Sequence, residues 1–146
     1  MKRFLSALML LALVAMLAGC GVMANNSAVR ETCTKLINAV IIGDVDSAYG
    51  CIAKDAGTIS YEEFMEVYEF MSERIYGVQI YELNQTSMES NWENDIYVTD
   101  ATYILKCGNK QYLIEVQDHS TYDGLEFFSF SDYKSGGLFD KIQGGN

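Results

Sequence analysis

The chain has 146 residues, a net charge of −10, 49% hydrophobic residues, four cysteines, one histidine and no proline. A length near ~150 is that of one domain, and ten tyrosines, seven phenylalanines and one tryptophan are too many for a chain disordered throughout. An acidic surface cannot displace counterions from a phosphate backbone, so composition argues against nucleic acid as a partner.

Met1-Lys2-Arg3 is a basic start, and the 14 residues from Phe4 to Leu17 are apolar apart from Ser6. That run is short of the ~20 residues of a spanning helix and has the form of a secretory signal. It ends in Leu17-Ala18-Gly19-Cys20. These four residues resemble the lipobox of bacterial lipoproteins. The resemblance implies removal of residues 1–19, acylation of Cys20, and a chain exported and held at the cell membrane or outer membrane by lipid. Processing would also remove Lys2 and Arg3, which takes the net charge to −12. Anionic lipid repels such a surface, so the acyl chains must anchor it, at ~0.8 kcal/mol per buried methylene. Residues 20–27 then form a lipidated tether, 28–133 the domain, and 134–146 a glycine-containing flexible tail.

Helical periodicity begins after the tether. Val29, Cys33, Leu36, Ile37, Val40 and Ile41 form one stripe, with Asn26 or Ser27 as cap and Gly43 as stop. A second, short helix carries Val45, Ala48, Tyr49 and Ile52 on one face, capped by Asp44 or Asp46, and Gly57 closes the segment. Ser60-Tyr61-Glu62-Glu63 is a capping box. It opens a third helix to about Tyr76, with Phe64, Val67, Tyr68, Met71 and Ile75 inward. Glu62, Glu66, Glu69 and Glu73 form a second stripe, either a solvated face or a surface for a basic partner or divalent cations.

From Val78 the period changes to that of strands. Val78 to Leu83 reads as a strand, and polar Asn84 to Asn94 as a loop holding Trp92. Ile96 to Cys107 is a long strand, apolar on both sides. Gly108-Asn109 is a two-residue hairpin turn, Gln111 to Gln117 pairs back, and Leu125 to Ser131 is a fourth strand. Helices first and a meander after them give an α+β fold, with three N-terminal helices packed on a curved antiparallel sheet of about four strands. The apolar helix, the Gly43-Asp44 turn and Ala48 on the next helix are similar to the cystatin-like cone of the nuclear transport factor 2-like superfamily. That resemblance implies an apolar pocket on the concave face, used by some members for isomerase or dehydratase chemistry. No position here matches those members' catalytic motifs.

Cys33 and Cys51 lie equally far from a turn near Gly43, so a bridge between the first two helices is expected in an exported setting. It would contribute ~3 kcal/mol by constraining the unfolded chain. The alternative is two small buried hydrophobes. Cys107 is left over. A zinc site is not expected, with no close cysteine pair and one histidine, and no glycine pattern indicates a nucleotide cofactor. His119, in Asp118-His119-Ser120, is either an exposed turn residue or an acid–base group, since imidazole titrates near neutrality. The strand aromatics Tyr97, Tyr103, Tyr112 and Phe128, with Phe127, Phe130 and the loop residue Trp92, either line a binding surface or pack a sheet.

Three functions remain. The first is a membrane-anchored extracytoplasmic lipoprotein, not an enzyme, that binds an apolar small ligand or an envelope protein. The second is a small isomerase or dehydratase with a cone pocket. The third is an inhibitor or immunity-type protein that offers an acidic surface.

Overall fold

A computed structural model describes residues 27–93 and 96–133. The signal at 1–19, Cys20 with its tether, and the tail at 134–146 lie outside the described residues.

Helix α1 covers residues 27–42. Val29, Cys33, Leu36, Ile37 and Val40 recur every three or four residues and are wholly buried, as one helix stripe against a sheet requires. Gly43, at φ +77, ends the helix and turns the chain. Asp44 caps α2 (Val45–Tyr49), accepting the Ser47 N–H at 2.9 Å. Ile52 does not extend that helix. It forms a parallel bridge to Leu125 instead. A 3-10 turn at Lys54–Ala56 leads to α3 (Tyr61–Ile75). The capping box closes in both directions: the Glu63 N–H donates to Ser60 Oγ at 3.2 Å, and the Ser60 N–H donates to Glu63 Oε2 at 2.8 Å. Phe64, Tyr68, Met71 and Ile75 are its buried face.

The sheet is an antiparallel meander, β1 (Glu82–Glu93), β2 (Ile96–Cys107), β3 (Lys110–His119) and β4 (Leu125–Asp132), in that order. Cys107 and Lys110 face each other across the Gly108-Asn109 turn, with Gly108 at φ +61. β1 corrects the sequence reading in two ways. Residues 78–81 are not strand but run beside α1, and residues 84–93, expected as a loop, pair with β2 along their length with one bulge after Gln85. The reason is that β1 is an edge strand. Among its residues only Leu83 is buried, so the hydrophobic alternation that marks a strand is missing while the ladder hydrogen bonds still form.

The long strand β2 is covered mainly on one side, although Val98 at its hairpin end is buried on the other. Thr99, Ala101, Tyr103 and Leu105 are buried, with Ile114, Val116, Phe128 and Phe130 on the neighbouring strands. On the opposite face Asp100 and Lys106 are exposed and Thr102 and Ile104 are half-buried. Polar pairs cross that face: Gln117 Nε2 donates to Asp100 Oδ1 at 2.7 Å, and Ser129 Oγ to Glu115 Oε2 at 3.1 Å.

Several contacts fasten the helical half to β4. Arg74, in the last turn of α3, lies 3.3 Å over the Phe70 ring and 3.3 Å from Asp132 Oδ1. The strap at 51–53 pairs with the start of β4: the Leu125 N–H donates to the Cys51 carbonyl at 2.8 Å, and the Ala53 N–H to the Leu125 carbonyl at 2.9 Å. Gly124 permits this approach. Its φ is +107, and a Cβ there would stand 2.8 Å from the Cys51 carbonyl oxygen. Gly124→Ala is therefore expected to destabilise the domain by at least about 2 kcal/mol, and Ser60→Ala by about 1 kcal/mol. Urea unfolding of the two variants beside the parent checks the order.

Candidate functional site

The interior comes first because the resemblance places a pocket there. Among the described residues the buried polar residue is Thr99, and every other fully buried side chain is apolar or aromatic. Two of these aromatics carry buried hydroxyls, Tyr103 Oη and Tyr112 Oη, that have no hydrogen-bond partner. Burial, reinforced by the nearby Cys33 thiol, pushes the Tyr103 phenol up to about 12, so it stays neutral.

The structure divides the predicted aromatic group. Tyr112 stacks on Phe130 at 4.9 Å, and Phe130 meets Phe70 of α3 edge-on at 5.9 Å. Tyr103 and Phe128 are core residues. Phe127 is exposed, paired with Gln117 on the outer face. Tyr97 pairs with Trp92 at the far end of the β1–β2 hairpin, ring centroids 5.2 Å apart. Trp92 is thus on a strand and not in a loop, and it is 72% exposed.

Cys33 and Cys51 are both buried and both free thiols, as is half-buried Cys107. The Cys51 thiol turns toward the Ser47 carbonyl at 3.5 Å. Burial, with Cys51 as a neighbour, pushes Cys33 up to about 12, so little thiolate exists at neutral pH. In reduced native protein a maleimide is expected to label Cys107 well before Cys33. Peptide mapping checks this, and non-reducing mapping of the exported protein reports any Cys33–Cys51 bridge directly.

His119 has a partner that the sequence reading missed. Its Nδ1 lies 2.8 Å from Glu126 Oε2, and both side chains are largely buried. The ring stacks on Tyr122 at 6.3 Å. Val98, paired with His119 across β2–β3, is also buried. Strand alternation puts His119 on the face opposite Val116 and Ile114, outside the core. The contact is a close approach of a carboxylate to an imidazole nitrogen, and Glu126 Oε2 makes no hydrogen bond there. The β3–β4 turn makes the pair by folding 126 back to 119. The clue in the sequence was a carboxylate one turn-length beyond the histidine, at the next strand's start.

Asp118, beside this pair, is raised from its usual value of 3.8 by burial, with His119 opposing and Asp123 adding. A carboxylate raised on folding leaves stability unaffected below its unfolded value and lowers it as pH rises and the group ionises. Asp118→Asn is therefore expected to stabilise the domain at pH 7, with the gain vanishing below about pH 3.8. Thermal melts across that pH range check the sign.

The surface carries two open grooves beside the helices. One, of about 600 Å³, is lined by Ile41, Ile42, Ala39, Asp44 and Cys51 among others. The other, of about 520 Å³, is lined by Tyr68, Glu69, Ser72, Glu73 and Tyr76. Ile42, Tyr76 and Ile80 are exposed near the C-terminal ends of α1 and α3, where the Tyr76 ring lies over Gly43. Glu62, Glu66, Glu69 and Glu73 are all exposed. Among the described residues no group of three or more His, Cys, Asp or Glu side chains is placed to hold a metal ion.

No family model, curated protein or solved structure matches this chain.

Proposed function

We propose that this chain is a lipid-anchored extracytoplasmic protein whose single α+β domain, built on the plan of the cystatin-like cone, works by binding and not by catalysis. The Leu17-Ala18-Gly19-Cys20 segment behind a basic, apolar leader supports the anchor. The observation that carries the binding reading is the distribution of large apolar side chains. The interior is filled by its own residues, while Tyr76 is left exposed on a groove bearing Glu69 and Glu73, its ring against Gly43 beside exposed Ile42. Clustered aromatic and aliphatic exposure marks interaction surfaces. Carboxylates at the rim favour a partner with basic side chains by steering its approach. This joins the first and third functions: an envelope protein partner, recognised in part by charge.

The His119–Glu126 pair supports a second reading, the isomerase or dehydratase. It supplies an imidazole beside a carboxylate but stands on the outer face of the sheet, away from the core.

Two measurements test the leading reading. Mass spectrometry of the mature N-terminus is expected to find acylated Cys20 as the first residue, and Cys20→Ala to lose the acyl mass. A photo-crosslinking residue at Tyr76 is expected to capture one discrete envelope protein, with a yield that falls at high salt. If Tyr76 captured nothing and native mass spectrometry found no bound ligand, the binding reading would fail. Loss of turnover in His119→Ala, against any substrate found, would favour the second reading.

A further inference from the structure

α3 and β4 run side by side in the same direction. Thr58 Oγ1, just before α3, donates to the Glu126 carbonyl at 2.9 Å. Phe70 meets Phe130 at 5.9 Å between ring centroids, and one turn further on Arg74 lies 3.3 Å from Asp132. The two elements finish together, so the chain leaves β4 at Tyr133 beside the last turn of α3. Glu73 lines a groove of about 510 Å³ with Tyr133, and it also lines the groove of about 520 Å³ that holds Tyr68, Glu69, Ser72 and Tyr76. The residues that follow Tyr133 thus start at the border of the α3 groove.

Large apolar side chains stand uncovered at this border. Tyr133 and Tyr76 are exposed. A Cβ on Gly43 would stand 3.0 Å from the Tyr76 ring, which sets exposed Ile42 close by. The charge here is acidic. Glu62, Glu66, Glu69 and Glu73 are exposed along α3, and among the described residues that line the α3 groove none is basic. Arg74, at its edge, lies between Asp132 at 3.3 Å and Glu73 at 3.6 Å.

The residues after Tyr133 have the complementary make-up. Lys134-Ser135-Gly136-Gly137 leads to Leu138-Phe139-Asp140-Lys141-Ile142-Gln143, and Gly144-Gly145 comes next. Two glycine pairs bracket a segment in which every second residue on average is large and apolar. The spacing of Leu138, Phe139 and Ile142 is one that brings side chains to the same side of a helical turn. Lys134 and Lys141 carry the charge opposite to that of Glu69 and Glu73. Reach is ample. The five steps from Tyr133 to Leu138 cover up to about 18 Å at ~3.6 Å per residue, whereas α3 rises only about 7.5 Å from Tyr68 to Glu73. A segment on so short a link is presented at an effective concentration on the order of millimolar, so a weak apolar contact is enough to hold it.

We propose that residues 138–142 of this same chain are the resident occupant of the α3 groove, with Leu138, Phe139 and Ile142 against Tyr68 and Tyr76 and the two lysines toward Glu69 and Glu73. The contact within the chain needs no outside partner. Its regulatory side rests on the binding reading above: a partner recognised at Tyr76 first displaces the segment, which therefore sets how readily the groove opens.

The test uses the full-length chain with a photo-crosslinking residue at Phe139. Irradiation and peptide mapping are expected to join position 139 to residues 68–76. In a mixture of unlabelled and isotope-labelled chains, the joined peptides are expected to carry one label only. Leu138→Ser with Ile142→Ser in the same crosslinking chain is expected to lower the yield several-fold. Hydroxyl-radical footprinting gives a second readout. Oxidation of Tyr76 is expected to rise several-fold when Leu138→Ser, Phe139→Ser and Ile142→Ser are combined in the full-length protein. Crosslinks only to other parts of the domain, or a Tyr76 as reactive in the parent as in the triple variant, overturn the inference. Mixed-label pairs in place of single-label ones assign the groove to the segment of a second copy, which also overturns it. The Tyr76 crosslinker reads the binding reading separately: in the triple variant it is expected to capture the envelope protein at higher yield. Capture that the triple variant leaves unchanged overturns the regulatory side. A crosslink from 139 to α3 with no capture in the variant overturns the binding reading and leaves the contact within the chain standing.

Discussion

The contact between α1 and the inner face of the sheet organises the rest of the molecule. Cys33, Leu36, Ile37 and Val40 are wholly buried, and each Å² of apolar area so removed from water stabilises the fold by ~25 cal/mol. Placing that stripe on the sheet commits the Gly43-Asp44 turn to carry α2 back along the same side, and it leaves α3 to cover β4. It also draws residues 77–83 alongside α1, through the Gly77, Tyr81 and Arg30 hydrogen bonds. The start of β1 is placed by that run.

With the helices on one face, the other face of the sheet stands in water. Polar side chains pair across it, as Gln117 with Asp100 and Ser129 with Glu115, beside half-buried Ile104 and exposed Phe127. The exception is the end where His119 meets Glu126 and Val98 is buried. There the β3–β4 turn and Tyr122 close over a small polar pair. Asp118 in the same stretch is raised by burial, so this end of the sheet holds ionisable groups at some cost in stability. Such a cost is retained where it serves orientation or binding, and it separates this patch from the solvated glutamates of α3.

The surfaces left over follow from the same arrangement. Helix ends cannot bury every large side chain, and Ile42 and Tyr76 remain exposed where α1 and α3 finish together. At the far end of the β1–β2 hairpin Trp92 is exposed beside Tyr97.

What could be read in the sequence was what local chemistry dictates. The α1 stripe, the Asp44 cap, the Ser60–Glu63 capping box and the Gly108-Asn109 turn each depend on residues within one or two turns of each other, and each formed as the spacing required. The α+β class followed from their order. The basic, apolar segment that ends in Cys20 is likewise a local pattern, read without a fold. Tertiary structure alone decided the rest. β1 was hidden because an edge strand with two wet faces needs backbone pairing but no hydrophobic alternation, so its polar residues looked like a loop. The one-sided burial of β2 was hidden because apolar residues on both sides of a strand do not say which side a helix will cover. The His119–Glu126 pair depends on the register of β3 against β4 across a turn, a non-local quantity. The placing of residues 77–83 beside α1 depends on three hydrogen bonds to residues more than thirty positions away. Periodicity determines which side chains a segment must bury; only the packed chain determines what they are buried against, and what is left outside.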